Sequence, residues 1–209
     1  MTEGEWLTAT DPTPMLEFIQ GEVSDRKLKL FAVACCRSCI HVFEDLNNLI
    51  QQTIVVAERL ADGEISQDQA TDATRSVESG ESEDFISHLS DEQSLLLGSV
   101  ERLCRTGVWE TAQDVVNALL WGSEQAVLFL RDIFGNPFHP IPLDPSWLTS
   151  TVLALAQQKY DSRDFSAMPI LADALQDAGC ENSDLLNHCR EPGEHVRGCF
   201  AVDLLLGKK

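Results

Sequence analysis

Residues 24–43 read SDRKLKLFAVACCRSCIHVF, and this stretch decides the fold class. Ser24 is a helix-capping residue type, and Asp25 follows it in the first turn, where the positive end of a helix dipole favours an acid. From there Leu28, Phe31, Cys35, Cys39 and Val42 share one face, while Val33, Cys36, Ile40 and Phe43 widen it. A stripe that broad means burial on most sides. Residues 30–43 form the longest apolar run, broken by Arg37, Ser38 and His41. The run falls short of the roughly 20 residues that a membrane-spanning helix needs. It reads as a core helix.

Toward the N-terminus, Asp11-Pro12 is a helix-start signature for a short helix carrying Met15, Leu16, Phe18 and Ile19 to Gly21. On the other side a helix over about 46–61 stops at Asp62-Gly63. Over residues 62–101 eleven acids face one base, Arg75, so this segment reads as a solvated face with an exposed acidic loop at Glu78–Asp84. Ser66 caps a polar helix within it. Ser90 with Gln93 forms a capping-box pattern for a helix reaching Cys104. Helical pattern continues from Trp109 to Phe134, with Gly122 as the expected interruption.

Then GNPFHPIPLDP, Gly135–Pro145, places four prolines in 11 residues. Proline lacks an amide donor and fixes φ, so this segment suits neither helix interior nor sheet. With Phe138, Ile141 and Leu143 between the prolines, it reads as an extended strap packed on a surface. Thereafter Ser146 or Thr149 starts a helix through Tyr160, Pro169 starts another ending at Gly179, and Ser183 caps a short LLNHCR turn. Pro192-Gly193 breaks that turn, and EHVRGCFAVDLLLG is read as a closing helix. No sustained alternation of period two occurs. The reading is an all-α, bundle-like protein: a helical lobe over 1–134, a proline-rich strap over 135–148, and a helical lobe over 149–209.

With 44% hydrophobic residues, the composition is that of a globular chain. A formal charge of −19 repels phosphate backbones and anionic lipid, which argues against nucleic acid or a membrane as partner. It would favour a basic partner or a cation, with solubility the plainer explanation, and the partner expected is another protein. The start, MTEGEWLTATD, is acidic and lacks the apolar core of a signal peptide, so the seven cysteines are expected to be reduced thiols in a cytoplasm.

Three groups of residues could carry chemistry. In the tail, Cys180, Cys189, His195 and Cys199 are separated by eight, five and three residues, a spacing like that of CCCH zinc fingers with the last two ligand types exchanged. Thiolates and an imidazole are donors that zinc accepts, and His195 and Cys199 would stand one turn apart if both were helical. His188 is a substitute ligand. The competing reading is that these cysteines are small hydrophobes in a core. The second group, Cys36-Arg-Ser-Cys39, has redox-motif spacing but sits in mid-helix, without the helix N-terminus or cation that lowers a thiol pKa, and reads as packing. Third, His139 in the strap could serve as a general base in a groove.

The segments MTEGEWLTATDPTPMLEF, SDRKLKLFAVACCR, the strap with the helices after it, and HCREPGEHVRGCFAVDLLLGKK resemble a family of uncharacterised bacterial proteins that occurs as many paralogues. That resemblance covers both ends of the chain and implies a bacterial, cytoplasmic protein, without any catalytic residue. Met168–Gly179 is also similar to a helix of modules that accompany interaction domains. The functional expectation is therefore a non-catalytic helical interaction or scaffold module. The alternatives are a zinc-stabilised domain using the tail, and an enzyme with a cleft near His139.

Overall fold

The computed structural model describes residues 1–39, 47–78, 98–100, 102–104, 107–118 and 123–209. Every regular element among them is helical, and none is a strand. The helices are α1 (Glu3–Thr8), α2 (Pro12–Ile19), α3 (Asp25–Ser38), α4 (Asn47–Ala61), α5 (Gln67–Glu78) and α6 (Val108–Ala118). They continue with α7 (Ser123–Phe134), a 3-10 turn (Pro145–Trp147), α8 (Ser150–Ser162), α9 (Met168–Asp177), α10 (Ser183–Arg190) and α11 (Phe200–Leu206). The Ser90–Gln93 capping box and the break at Gly122 lie outside the described residues.

Local chemistry accounts for most of the helix starts. Asp11 accepts from the Thr13 amide at 2.9 Å, Ser24 from Lys27 at 3.4 Å, and Thr149 from Val152 at 3.3 Å. Ser66 and Gln69 exchange a side chain and an amide in both directions, a closed capping box at the head of α5. One start differs from expectation. Asn182, and not Ser183, caps α10, its side-chain oxygen taking the Leu185 amide at 2.9 Å.

The chain divides into two compact units, one of Met1 and Ala9–Val127, the other of Thr2–Thr8 and Leu128–Lys209. In the first, α3 packs on α4 and α6, α4 on α5, and α2 on α6. Its interior holds Leu16, Phe31, Ile50, Ile54, Leu103 and Val115. Of the pair with redox-motif spacing, Cys36 is buried and Cys39 half-buried there, and loss of solvation raises both thiols above the ordinary range. That is the opposite of an activated redox pair.

In the second unit α8 packs on α9 and α11, and α10 on α9 and α11, around Val152, Ala156, Tyr160, Leu171, Leu175, Leu185 and Leu205. The strap runs without regular structure over 135–144, and its Ile141 and Leu143 lie against this core. The division at Leu128 falls inside α7 because the last part of that helix, the strap and α1 are tied together. The Trp6 indole donates to the Gly135 carbonyl at 3.1 Å, and the Arg131 guanidinium donates twice to the Trp6 carbonyl, at 2.9 and 3.2 Å.

Gly135 ends α7 with φ +65°, a conformation L-residues enter at a cost, and a Cβ there would meet the Phe200 ring at 3.1 Å. Gly135→Ala should therefore destabilise the protein by about 1–3 kcal/mol, strain and overpacking combined. A urea midpoint identical to that of the parent would contradict this placement of Phe200.

The C-terminal stretch also departs from expectation. Residues 194–199 are not helical, and α11 begins only at Phe200. Two features account for this. Gly198 takes φ +99°, and the Val196 amide is engaged by the Asp132 carboxylate at 2.9 Å. His195 and Cys199 thus stand on an irregular loop and at the head of a helix, respectively.

Candidate metal centre

Four side chains of the second unit converge on one point. Asp132, His188, His195 and Cys199 each present a donor atom within 4.8 Å of every other. His195 Nδ1 lies 2.7 Å from Asp132 Oδ1, His188 Nε2 lies 3.3 Å from the same oxygen and 3.2 Å from Cys199 Sγ, and Cys199 Sγ lies 4.0 Å from His195 Nδ1. Cys199 is fully buried, and the side chains of Asp132, His195 and His188 are only 4%, 8% and 19% exposed.

Each donor is brought in by a different piece of chain. Asp132 sits in the last turn of α7, where the helix dipole disfavours a carboxylate. The Val196 N–H on its second oxygen and the two imidazoles on its first offset that cost. Burial alone would raise its pKa, but hydrogen bonds from His188 and His195, with their charge, outweigh the desolvation and leave it below the ordinary carboxylate value. His188 lies in the last turn of α10, on the flank of the buried face formed by Leu185, Leu186 and Cys189. Its ring stands edge-on to His195 with centroids 4.7 Å apart, and Phe200 backs it at 4.3 Å.

Cys199 is the residue preceding α11. Burial, and after it the Asp132 carboxylate, push its thiol well above the usual range, while the Val202 and Ala201 amides facing the sulfur pull the other way.

The arrangement is wrong for a nucleophilic triad. There the base shows one ring nitrogen to the nucleophile and the other to the orienting carboxylate. Here a single atom, His188 Nε2, faces both the thiol and Asp132. A fully buried thiol of raised pKa is also a poor nucleophile. Carboxylate, imidazoles and thiol meeting on a common centre form a group that could hold a metal ion.

Of the four residues singled out from the tail's spacing, His195 and Cys199 belong to this group. Cys180 and Cys189 do not. They are buried in the apolar core of the second unit with Leu171, Leu175 and Leu185, and burial raises the Cys189 thiol to about 12. His188, read as a substitute ligand, is a member. Asp132 escaped the spacing argument altogether. The signal for it was an acid in a helix's last turn, immediately before a strap.

Beside the centre, a cleft of about 480 Å³ is lined by α1, the end of α7, the strap, α10 and Phe200. His188 forms part of its wall, and the half-buried Phe134 and Ile141 supply apolar surface. His139 stands on its rim with a side chain 63% exposed, its Nδ1 3.1 Å from Glu3 Oε1. No hydroxyl or thiol side chain lines the cleft among the described residues.

Fold and site together define a class: an all-helical protein carrying a buried four-donor centre of one carboxylate, two imidazoles and one thiol. No family model matches the chain, and neither a curated protein nor a solved structure shows significant similarity to it. Among the described residues, no helix is long and apolar enough to cross a membrane.

Proposed function

We propose that this chain is a zinc-binding helical domain, in which one ion held by Asp132, His188, His195 and Cys199 fastens the C-terminal segment of the second unit. The observation that carries this reading is the mutual approach of the four donors to within 4.8 Å. Around tetrahedral zinc, with bonds of about 2.0–2.3 Å, neighbouring donors stand roughly 3.3–3.8 Å apart. Four of the six separations, from 2.7 to 4.0 Å, scatter about that edge length, and the other two are at most 4.8 Å.

The donor types support the same ion. A thiolate with two imidazoles is a borderline-soft set suited to zinc, and a poor one for magnesium or calcium. A thiolate and a carboxylate also balance the charge of a divalent cation, so the buried centre as a whole would be neutral, which a low-dielectric interior favours. Four protein ligands leave no open position for substrate, so the reading is structural and not catalytic. The Val196 N–H on Asp132 Oδ2 and the amides facing the Cys199 sulfur are the kind of outer partners that orient metal ligands.

Uptake would displace the Cys199 proton, because only a thiolate ligates zinc. Elemental analysis of untagged protein loaded with zinc and desalted is expected to give about one ion per chain. Cys199→Ala and His195→Ala should abolish uptake. Cys189→Ala, which removes a core thiol, should keep the ion and cost only about 1 kcal/mol. Loss of zinc from Cys189→Ala but not from Cys199→Ala would reverse the assignment, and protein that takes up no zinc would refute it.

A further inference from the structure

A second feature, the cleft beside the centre, shares the His188 side chain with it but needs no metal to be tested. The cleft between α1, the strap and α10 is lined by the half-buried rings of Phe134 and Phe200, with Trp6 fully buried behind, and by Glu3, Asp184 and Glu191. Among the described residues that line it, the one permanently charged cation is Arg131, whose guanidinium donates twice to the Trp6 carbonyl. Glu3 is held in place by the Asn136 amide at 2.7 Å and by His139. Asp184 and Glu191 are exposed, at opposite ends of α10. Three carboxylates against one guanidinium leave the lining net negative around its apolar side chains, on a chain whose formal charge is −19.

We infer that this cleft is a docking site for a short segment of another protein, one that carries an arginine or lysine next to apolar side chains. Charge complementarity selects the sign of the occupant. An acidic segment would bring like charges together over an apolar surface, at a cost that discriminates strongly against it. Size selects a segment and not a domain, since 480 Å³ takes a few side chains and lies within the range of ordinary ligand pockets, about 300–1,000 Å³. Phe134 and Phe200 supply area on which the stem of a long cationic side chain can lie while its charged head reaches the carboxylates.

The test uses the 209-residue chain, without added metal, and three probes: the peptide Ac-LRFKL-amide, its acidic counterpart Ac-LEFEL-amide, and free arginine amide. Calorimetric titration is run at about 0.15 M salt, where charges more than about 8 Å from the ligand are screened. The basic peptide is expected to bind, and the acidic peptide and arginine amide to bind at least about tenfold more weakly. Glu191→Lys and Asp184→Asn, both at exposed positions, should each weaken the basic peptide, Glu191→Lys by about tenfold or more. Asp177→Lys, an exposed charge reversal outside the cleft, should leave it within about twofold.

Absence of binding by the basic peptide would overturn the inference. Equal binding of the acidic peptide would do the same, as would arginine amide binding as tightly as the peptide. So would an equal loss in Asp177→Lys, which marks general attraction to an acidic protein.

Discussion

Zinc-loaded protein is expected to melt well above protein stripped by chelator. An ion that binds only the folded state stabilises it by about 2.7 kcal/mol at 100 times its dissociation constant and about 4.1 at 1,000 times. For a chain of this length that corresponds to a rise of about 5–15 °C in the melting midpoint. The stripped protein should still fold, because its four ligand groups bond one another: both imidazoles reach Asp132, and His188 Nε2 reaches Cys199 Sγ. The difference should vanish in Cys199→Ala. Melting curves that coincide with and without chelator would leave Asp132, His188, His195 and Cys199 as an ordinary buried polar cluster.

Asp132→Ala is expected to be the most damaging single substitution in the second unit. The change removes a proposed ligand, and it also strips the acceptor from two largely buried imidazoles and from the Val196 amide. Leaving such donors unpaired costs about 1–3 kcal/mol each, so a loss of about 3–5 kcal/mol in urea unfolding is expected even without metal. Asp132→Asn should fall in between, since a neutral amide still accepts from Val196 but cannot balance a cation or an imidazolium. A cost below about 1 kcal/mol for Asp132→Ala would mean that the carboxylate does not organise the tail.

The helical class and many element boundaries could be read in the chain because they are set locally. Asp11, Ser24, Ser66 and Thr149 each cap the helix that follows them, as their residue types imply. The strap is equally local, since its prolines forbid helix wherever the rest of the chain lies. At Asn182-Ser183 two good capping residues stand side by side, and only the register of α10 decides between them.

The centre was half legible for a different reason. Spacing finds ligands that are close in sequence, and Asp132 lies 63 residues before His195. Choosing between His188 and Cys189 required knowing which side of α10 faces the core. Leu185, Leu186 and Cys189 form that side, which leaves His188 free to turn toward Asp132. The expected helix through 194–199 also had no local sign against it beyond Gly198, because the bond that draws Val196 away comes from α7.

X-ray absorption at the zinc edge counts the sulfur ligands of the proposed centre without any mutation. The account predicts one sulfur at about 2.3 Å and three nitrogen or oxygen donors at about 2.0–2.1 Å. A first shell of three sulfurs and one nitrogen, the set made by Cys180, Cys189, Cys199 and His195, would contradict it.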